Sequence, residues 1–144
     1  MMPLTLQLKR PVPAEPALVW RAWTDPAELG RWYWPASFAA RCDVELRAGG
    51  RLRIASAAAG MAVSGQLTAV EPPPAGRLAH TWRWDGEEAE TLVTVEFLPG
   101  TGGGTDVVVT HEGFDDPGES ANHAQGWNDC LARLAAYDFA AADR

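Results

Sequence analysis

Leu4, Leu6 and Leu8 alternate with Thr5, Gln7 and Lys9, a period of two that predicts a half-buried strand closed by Pro11 and Pro13. From Ala14 the period lengthens. Leu18, Val19, Ala22 and Trp23 follow helical spacing, with Pro16 in the first turn, where its missing N–H leaves no bond unmade. Thr24-Asp25-Pro26 stops this helix and starts a shorter one through Glu28, Leu29 and Trp32, capped by Asp25 and ended by Pro35.

Strands come next. Phe38, Ala40, Cys42, Val44 and Leu46 alternate with Ala39, Arg41, Asp43, Glu45 and Arg47, so the even set is expected to face a core and the odd set water. Gly49-Gly50 turns the chain into Arg51-Leu52-Arg53-Ile54, and Ala57 to Gly60 reads as a small-residue loop. Met61 to Val70 is the following strand, with Gly65 marking a bulge. After the turn Pro72-Pro73-Pro74-Ala75-Gly76, Leu78, His80, Trp82 and Trp84 share one strand face. Asp85-Gly86 opens a hairpin loop, and Thr91, Val93, Val95 and Phe97 share the inner face beyond it. A glycine-rich loop from Pro99 to Gly104 precedes Val107, Val109 and His111, which close the sheet.

The last periodic stretch runs from Glu119 to Ala141. Ala124, Trp127, Leu131 and Leu134 fall on one helical stripe, with Cys130 and Tyr137 at its edge. Asn122, Gln125, Asp129, Arg133 and Ala136 fall opposite. Pro117-Gly118 breaks the chain before it, and Ser120 or Asp116 can cap its first turn. A single long apolar stripe needs a broad apolar surface, and successive hairpins supply one as an antiparallel sheet. The expected class is α+β: one strand, two short helices, about six further strands and a terminal helix lying on the sheet's covered face, in a single domain over residues 1–144. Asp129, Arg133, Glu45 and Arg47 fall on polar sides and are expected to be solvated and functionally silent.

Composition narrows the function classes. The net charge of −7 and the pI near 4.8 argue against nucleic acid and against anionic lipid surfaces as partners. No segment is long and apolar enough to span a bilayer, Cys42 and Cys130 show neither metal spacing nor a disulfide framework, and no signal peptide is evident, so the chain reads as cytoplasmic. Seven Trp in 144 residues is more than a core of this size requires, which suggests that several line something specific.

Val19-Trp20-Arg21-Ala22-Trp23-Thr24-Asp25-Pro26, then Leu29 and Trp32-Tyr33-Trp34-Pro35, resembles the opening of START-like proteins. Gly49-Gly50, Leu78-Ala79-His80-Thr81-Trp82 and Gly103-Gly104-Thr105 before Val107 to His111 extend the resemblance. His123-Ala124-Gln125-Gly126-Trp127 with Leu131 and Leu134 is its most specific part. Together they resemble the family named after the activator of the heat shock protein 90 ATPase. That resemblance implies the helix-grip fold, in which a curved antiparallel sheet of about seven strands grips a long C-terminal helix and often encloses an apolar cavity. It also implies a choice of roles, because the superfamily contains lipid carriers, receptors and cyclases, and its chaperone-stimulating members carry a further N-terminal domain.

The candidate chemistry is sparse. Gly100-Thr101-Gly102-Gly103-Gly104 lacks the Lys and the context of a phosphate-binding loop, and no nucleophile elbow or zinc spacing occurs, so no catalytic residue, metal or cofactor is expected. His80, His111 and His123 should face the gripped side. Without a carboxylate to orient them they read first as core-edge histidines, and second as the acid–base group of a cyclase- or hydrolase-like enzyme. Trp32, Trp34, Phe38, Trp82, Trp84, Trp127 and Leu131, together with these histidines, form the expected ligand-binding set. Gly126 beside Trp127 suggests a close approach by a backbone or a bulky ring. Asp115, Asp116 and Glu119 read as a solvated turn and a charge bias at the helix start. The expected function is to hold an apolar small molecule or lipid between sheet and helix, in a cavity opening near Trp34 and the loop before Phe38. The alternative is an interaction module for a chaperone or another protein.

Overall fold

The computed structural model describes residues 4–140. Its elements are β1 (Leu4–Val12), α1 (Pro16–Thr24), α2 (Pro26–Trp32), β2 (Arg41–Val44), β3 (Arg51–Ser56), β4 (Met61–Glu71), β5 (Arg77–Trp84), β6 (Thr91–Pro99), β7 (Thr105–Phe114) and α3 (Pro117–Ala136). The seven strands form one antiparallel sheet in the order β1-β7-β6-β5-β4-β3-β2. Strands β2 to β7 follow one another as a meander. β1 joins the far side of β7 and becomes an edge. This is the helix-grip arrangement.

Period-two patterning places whole rows of side chains on the inner face. One row crosses the sheet as Leu8, Val109, Val95, Leu78 and Val70. The next runs Leu6, His111, Val93, His80 and Leu67. Val93, Val95, Phe97, Val107 and Val109 are buried, as are Trp127, Cys130, Leu131 and Leu134 on the facing side of α3. Asp25 caps α2 by accepting from the Ala27 N–H at 3.2 Å, and Asp116 caps α3 by accepting from the Gly118 N–H at 3.1 Å. α3 packs mainly on β1, α1 on β6 and α2 on β2. The two helical layers thus cover opposite parts of the sheet and leave a gap over β5 and the start of β4.

Five local expectations are corrected. β1 passes through Pro11 to Val12, which an edge strand permits because its outer side pairs with nothing that needs an N–H. β2 is only four residues long. Phe38 lies in a 3-10 turn (Ala36–Phe38), and Leu46, beyond the strand, is 45% exposed rather than inward. The register of β4 shifts between Leu67 and Ala69, not at Gly65. Gly65 is required for another reason, since a Cβ there would overlap the Thr81 carbonyl oxygen of β5. α3 ends at Ala136, where Tyr137 turns to extended backbone (φ −64°, ψ 138°) and its ring meets Phe139 edge-on at 5.0 Å. Ala141, where the helix was expected to end, lies outside the described residues.

Candidate functional site

The gap between the two helical layers is a cleft of about 450 Å³. Three segments build it. Alternation on β5 turns Trp82 and Trp84 to the same side, with Met61 beside them at the start of β4. The link between α2 and β2 brings Tyr33, Trp34, Pro35 and Phe38. From α3 comes a stripe at spacings of three and four: Glu119, His123, Gly126, Cys130 and Arg133, with Asn122, Trp127 and Asp129 flanking it.

Four indoles stand on the walls of the cleft. Trp34 and Trp84 lie parallel, 7° apart with centroids at 6.2 Å, and Trp82 meets Trp84 edge-on at 5.4 Å. Trp82 also neighbours Trp127 at 5.5 Å, and Trp34 neighbours Phe38 at 6.2 Å. Edge-on contacts of this kind add specific attraction to area burial and fix ring orientation. Trp82 is buried, and its indole N–H has no hydrogen-bond partner among the described residues. Trp84 is half-buried, and its N–H donates to Nε2 of His123 at 3.0 Å. Nδ1 of His123 then donates to the Glu119 carbonyl at 2.8 Å. This pairing fixes the tautomer: a ring nitrogen that accepts from an indole carries no proton of its own. A second cleft of about 170 Å³ shares Trp82, Trp84, Glu119 and His123 with the first.

The other histidines sit deeper. Nδ1 of His111 accepts from the Trp127 N–H at 3.0 Å, so Nε2 carries the proton and donates to Thr91 Oγ1 at 2.7 Å. The Thr91 hydroxyl donates onward to the Trp82 carbonyl at 3.3 Å. Burial, with His123 and His80 as secondary influences, holds the His111 pKa down to about 3. His80 is lowered by burial, against an opposing bond from its Nδ1 to the Thr81 carbonyl at 2.8 Å. Burial pushes the Cys130 thiol at the cleft wall up to about 12, which leaves it protonated and unreactive at neutral pH. Cys42, outside the cleft, is likewise raised to about 12. Among the described residues no group of three or more His, Cys, Asp or Glu is placed to hold a metal ion.

The geometry gathers Trp34, Phe38, Trp82, Trp84, His123 and Trp127 around one space. Trp32, His80, His111 and Leu131 do not line it. Trp32 is core, with its N–H donating to the Ala22 carbonyl at 2.9 Å, and Leu131 is packed under α3. Arg133 corrects the expectation of a solvated, silent residue. Its Nε donates to the Trp32 carbonyl at 3.0 Å and its Nη2 to the Tyr33 carbonyl at 2.7 Å, tying α3 to the end of α2 at the cleft rim. Asp129 also lines the cleft, although it is exposed. Gly126 meets no tight neighbour; nothing lies within 4 Å of a Cβ built there, and the missing side chain widens the cleft instead. Sequence reading also missed Tyr33, Met61, Glu119 and Asn122. The signal that could have found Glu119 to Arg133 is their shared helical stripe adjoining Trp127.

The family described as Activator of Hsp90 ATPase homolog 1-like protein matches residues 13–137. Protein CV1439 from Chromobacterium violaceum is 29% identical over 92% of this chain and 95% of its own, with a TM-score of 0.76. The Q3J4M4_RHOS4 protein from Rhodobacter sphaeroides is 27% identical over 92% of this chain and 90% of its own, with a TM-score of 0.77. PFC0360w, an HSP90 activator from Plasmodium falciparum, is 21% identical over 93% of this chain and 94% of its own, with a TM-score of 0.73, a likeness of fold alone. No curated protein matches the chain. Among the described residues no helix is long and apolar enough to cross a membrane.

Proposed function

The chain belongs to the Activator of Hsp90 ATPase homolog 1-like family, and from that premise we propose that it binds an apolar small molecule in the cleft between β5, the α2–β2 link and α3. One observation carries the reading: a cleft of about 450 Å³, within the size range of small-molecule sites, walled chiefly by Trp34, Phe38, Trp82, Trp84 and Trp127. Gly126 faces this cleft without a side chain, which leaves room for a ligand. Binding is driven by burying apolar ligand surface at about 25 cal/mol per Å², less the cost of association. The neutral dye N-phenyl-1-naphthylamine tests the reading. It should brighten on binding and quench Trp emission, and Trp84→Ala and Trp34→Ala should each weaken binding. No binding by the folded wild-type protein overturns the proposal.

A second reading has its own support. The family is described by an activator of the Hsp90 ATPase, and a neighbour of the same fold carries that description. In that reading the chain docks on a chaperone. Stimulation of an Hsp90 ATPase by the purified protein supports it, and an unchanged ATPase rate counts against it. A cyclase- or hydrolase-like role would fall to His123, the one candidate histidine on the cleft lining, whose two ring nitrogens engage an indole and a backbone carbonyl.

A further inference from the structure

We propose that the ligand of this cleft is an organic cation, an amine or quaternary ammonium group on an apolar body; this deepens the small-molecule reading and rests on it. Two independent features point the same way. Four indoles line the cleft, with Trp34 parallel to Trp84 and Trp82 edge-on to Trp84. An indole face presents the negative end of its quadrupole and attracts a cation held above it. The rim is anionic. Glu119 and Asp129 line the larger cleft, and Glu119 also lines the smaller one beside Glu87 and Asp115. All four are exposed, so their field reaches an incoming ligand through water.

Arg133 sets one positive charge on the larger cleft's lining against the two carboxylates of Glu119 and Asp129, so the rim stays net anionic. Arg133 is the basic residue on the larger cleft's lining, and its guanidinium donates to the Trp32 and Tyr33 carbonyls. Both ring nitrogens of His123 are taken up, Nε2 by the Trp84 N–H and Nδ1 by the Glu119 carbonyl. An anionic ligand would have to lose hydration inside aromatic walls against the two charges of Glu119 and Asp129, with only Arg133 among the described lining residues to attract it. A neutral ligand gains from the walls alone. A cation gains from both walls and rim.

Three probes of similar size separate these cases: benzyltrimethylammonium, its uncharged carbon isostere neopentylbenzene, and phenylacetate, each competing with N-phenyl-1-naphthylamine. The cation should bind roughly 5- to 30-fold more tightly than the isostere, and phenylacetate most weakly. Glu119→Gln should weaken the cation about two- to fivefold and leave the isostere unchanged. Glu96→Gln, on the outer face of β6, changes net charge equally and should change neither. An isostere that binds as well as the cation, or a Glu119→Gln that leaves their ratio intact, overturns the cation inference while the cleft reading stands. A dye that binds with none of the small probes competing does the same. Failure of the dye itself overturns both.

Discussion

The indole N–H of Trp127 on α3 donates to Nδ1 of His111 on β7 at 3.0 Å, a polar bond in the middle of the apolar grip between helix and sheet. Both residues are buried, so each needs the other. The bond also requires His111 to stay neutral at Nδ1.

Acid should therefore loosen the grip. His111 titrates near 6.5 when unfolded and at about 3 when folded. A depressed folded-state pKa means that the unfolded chain binds more protons between those values. The contribution to stability is present in full above about pH 6.5 and is lost as pH falls toward 3, at about 1.4 kcal/mol per pH unit. His80, lowered by the same burial, adds in the same direction. Urea unfolding near pH 7 and near pH 4.5 should show a steeper loss in wild type than in His111→Gln. Equal slopes would remove His111 as the responsible group.

Leu131 is 2% exposed under α3. Leu131→Ala should cost roughly 2–5 kcal/mol in denaturant unfolding. A loss under about 0.5 kcal/mol, the range of surface changes, would mean that the helix stripe does not face the sheet.

Arg133→Ala should lower stability by about 1–3 kcal/mol, because two carbonyls at the end of α2 lose a charged donor. Arg133→Lys should recover only part of this, since an ammonium cannot reach both acceptors as a planar fork does. Full recovery by lysine would indicate that charge alone, and not the fork, ties the two helices.

Two glycines should respond oppositely to alanine. Gly65→Ala drives a methyl group into the Thr81 carbonyl and should cost more than about 2 kcal/mol. Gly126→Ala meets open space in mid-helix and should raise stability by up to about 1 kcal/mol. Thermal melts of both variants check the pair, and a destabilised Gly126→Ala would reinstate the close approach that its helical position first suggested.

The sheet and the gripping helix were legible because alternation and helical period directly record which side faces the core. Val93, Val95 and Phe97, Leu52 and Ile54, and Trp127 with Leu131 and Leu134 all lie buried where their spacing put them. What failed depended on distant partners. Leu46 continues an alternation whose strand has already ended at Val44. Arg133 falls on the polar side of its helix, yet its acceptors are carbonyls about a hundred positions earlier, which no local pattern contains. The end of α3 was hidden by an alanine-rich tail that suits a helix, whereas Tyr137 and Phe139 leave it to pack against each other. Of the cleft, the aromatic wall was visible in the number of Trp. The polar stripe from Glu119 to Arg133 was not, because solvent-facing and cleft-facing residues look alike until the sheet is in place.

The neighbour relation between β1 and β7 has a consequence in time. Leu6 pairs with His111, roughly a hundred positions later in the chain, whereas every other strand pairing joins neighbours in sequence. The meander from β2 to β7 can zip up through short loops as it is synthesised, but β1 must hold its apolar face unpartnered until nearly the whole chain has emerged. α3, which rests chiefly on β1, must wait with it. Closing so large a loop carries an entropic cost before its contacts form, so β1 is expected to dock after the meander it joins.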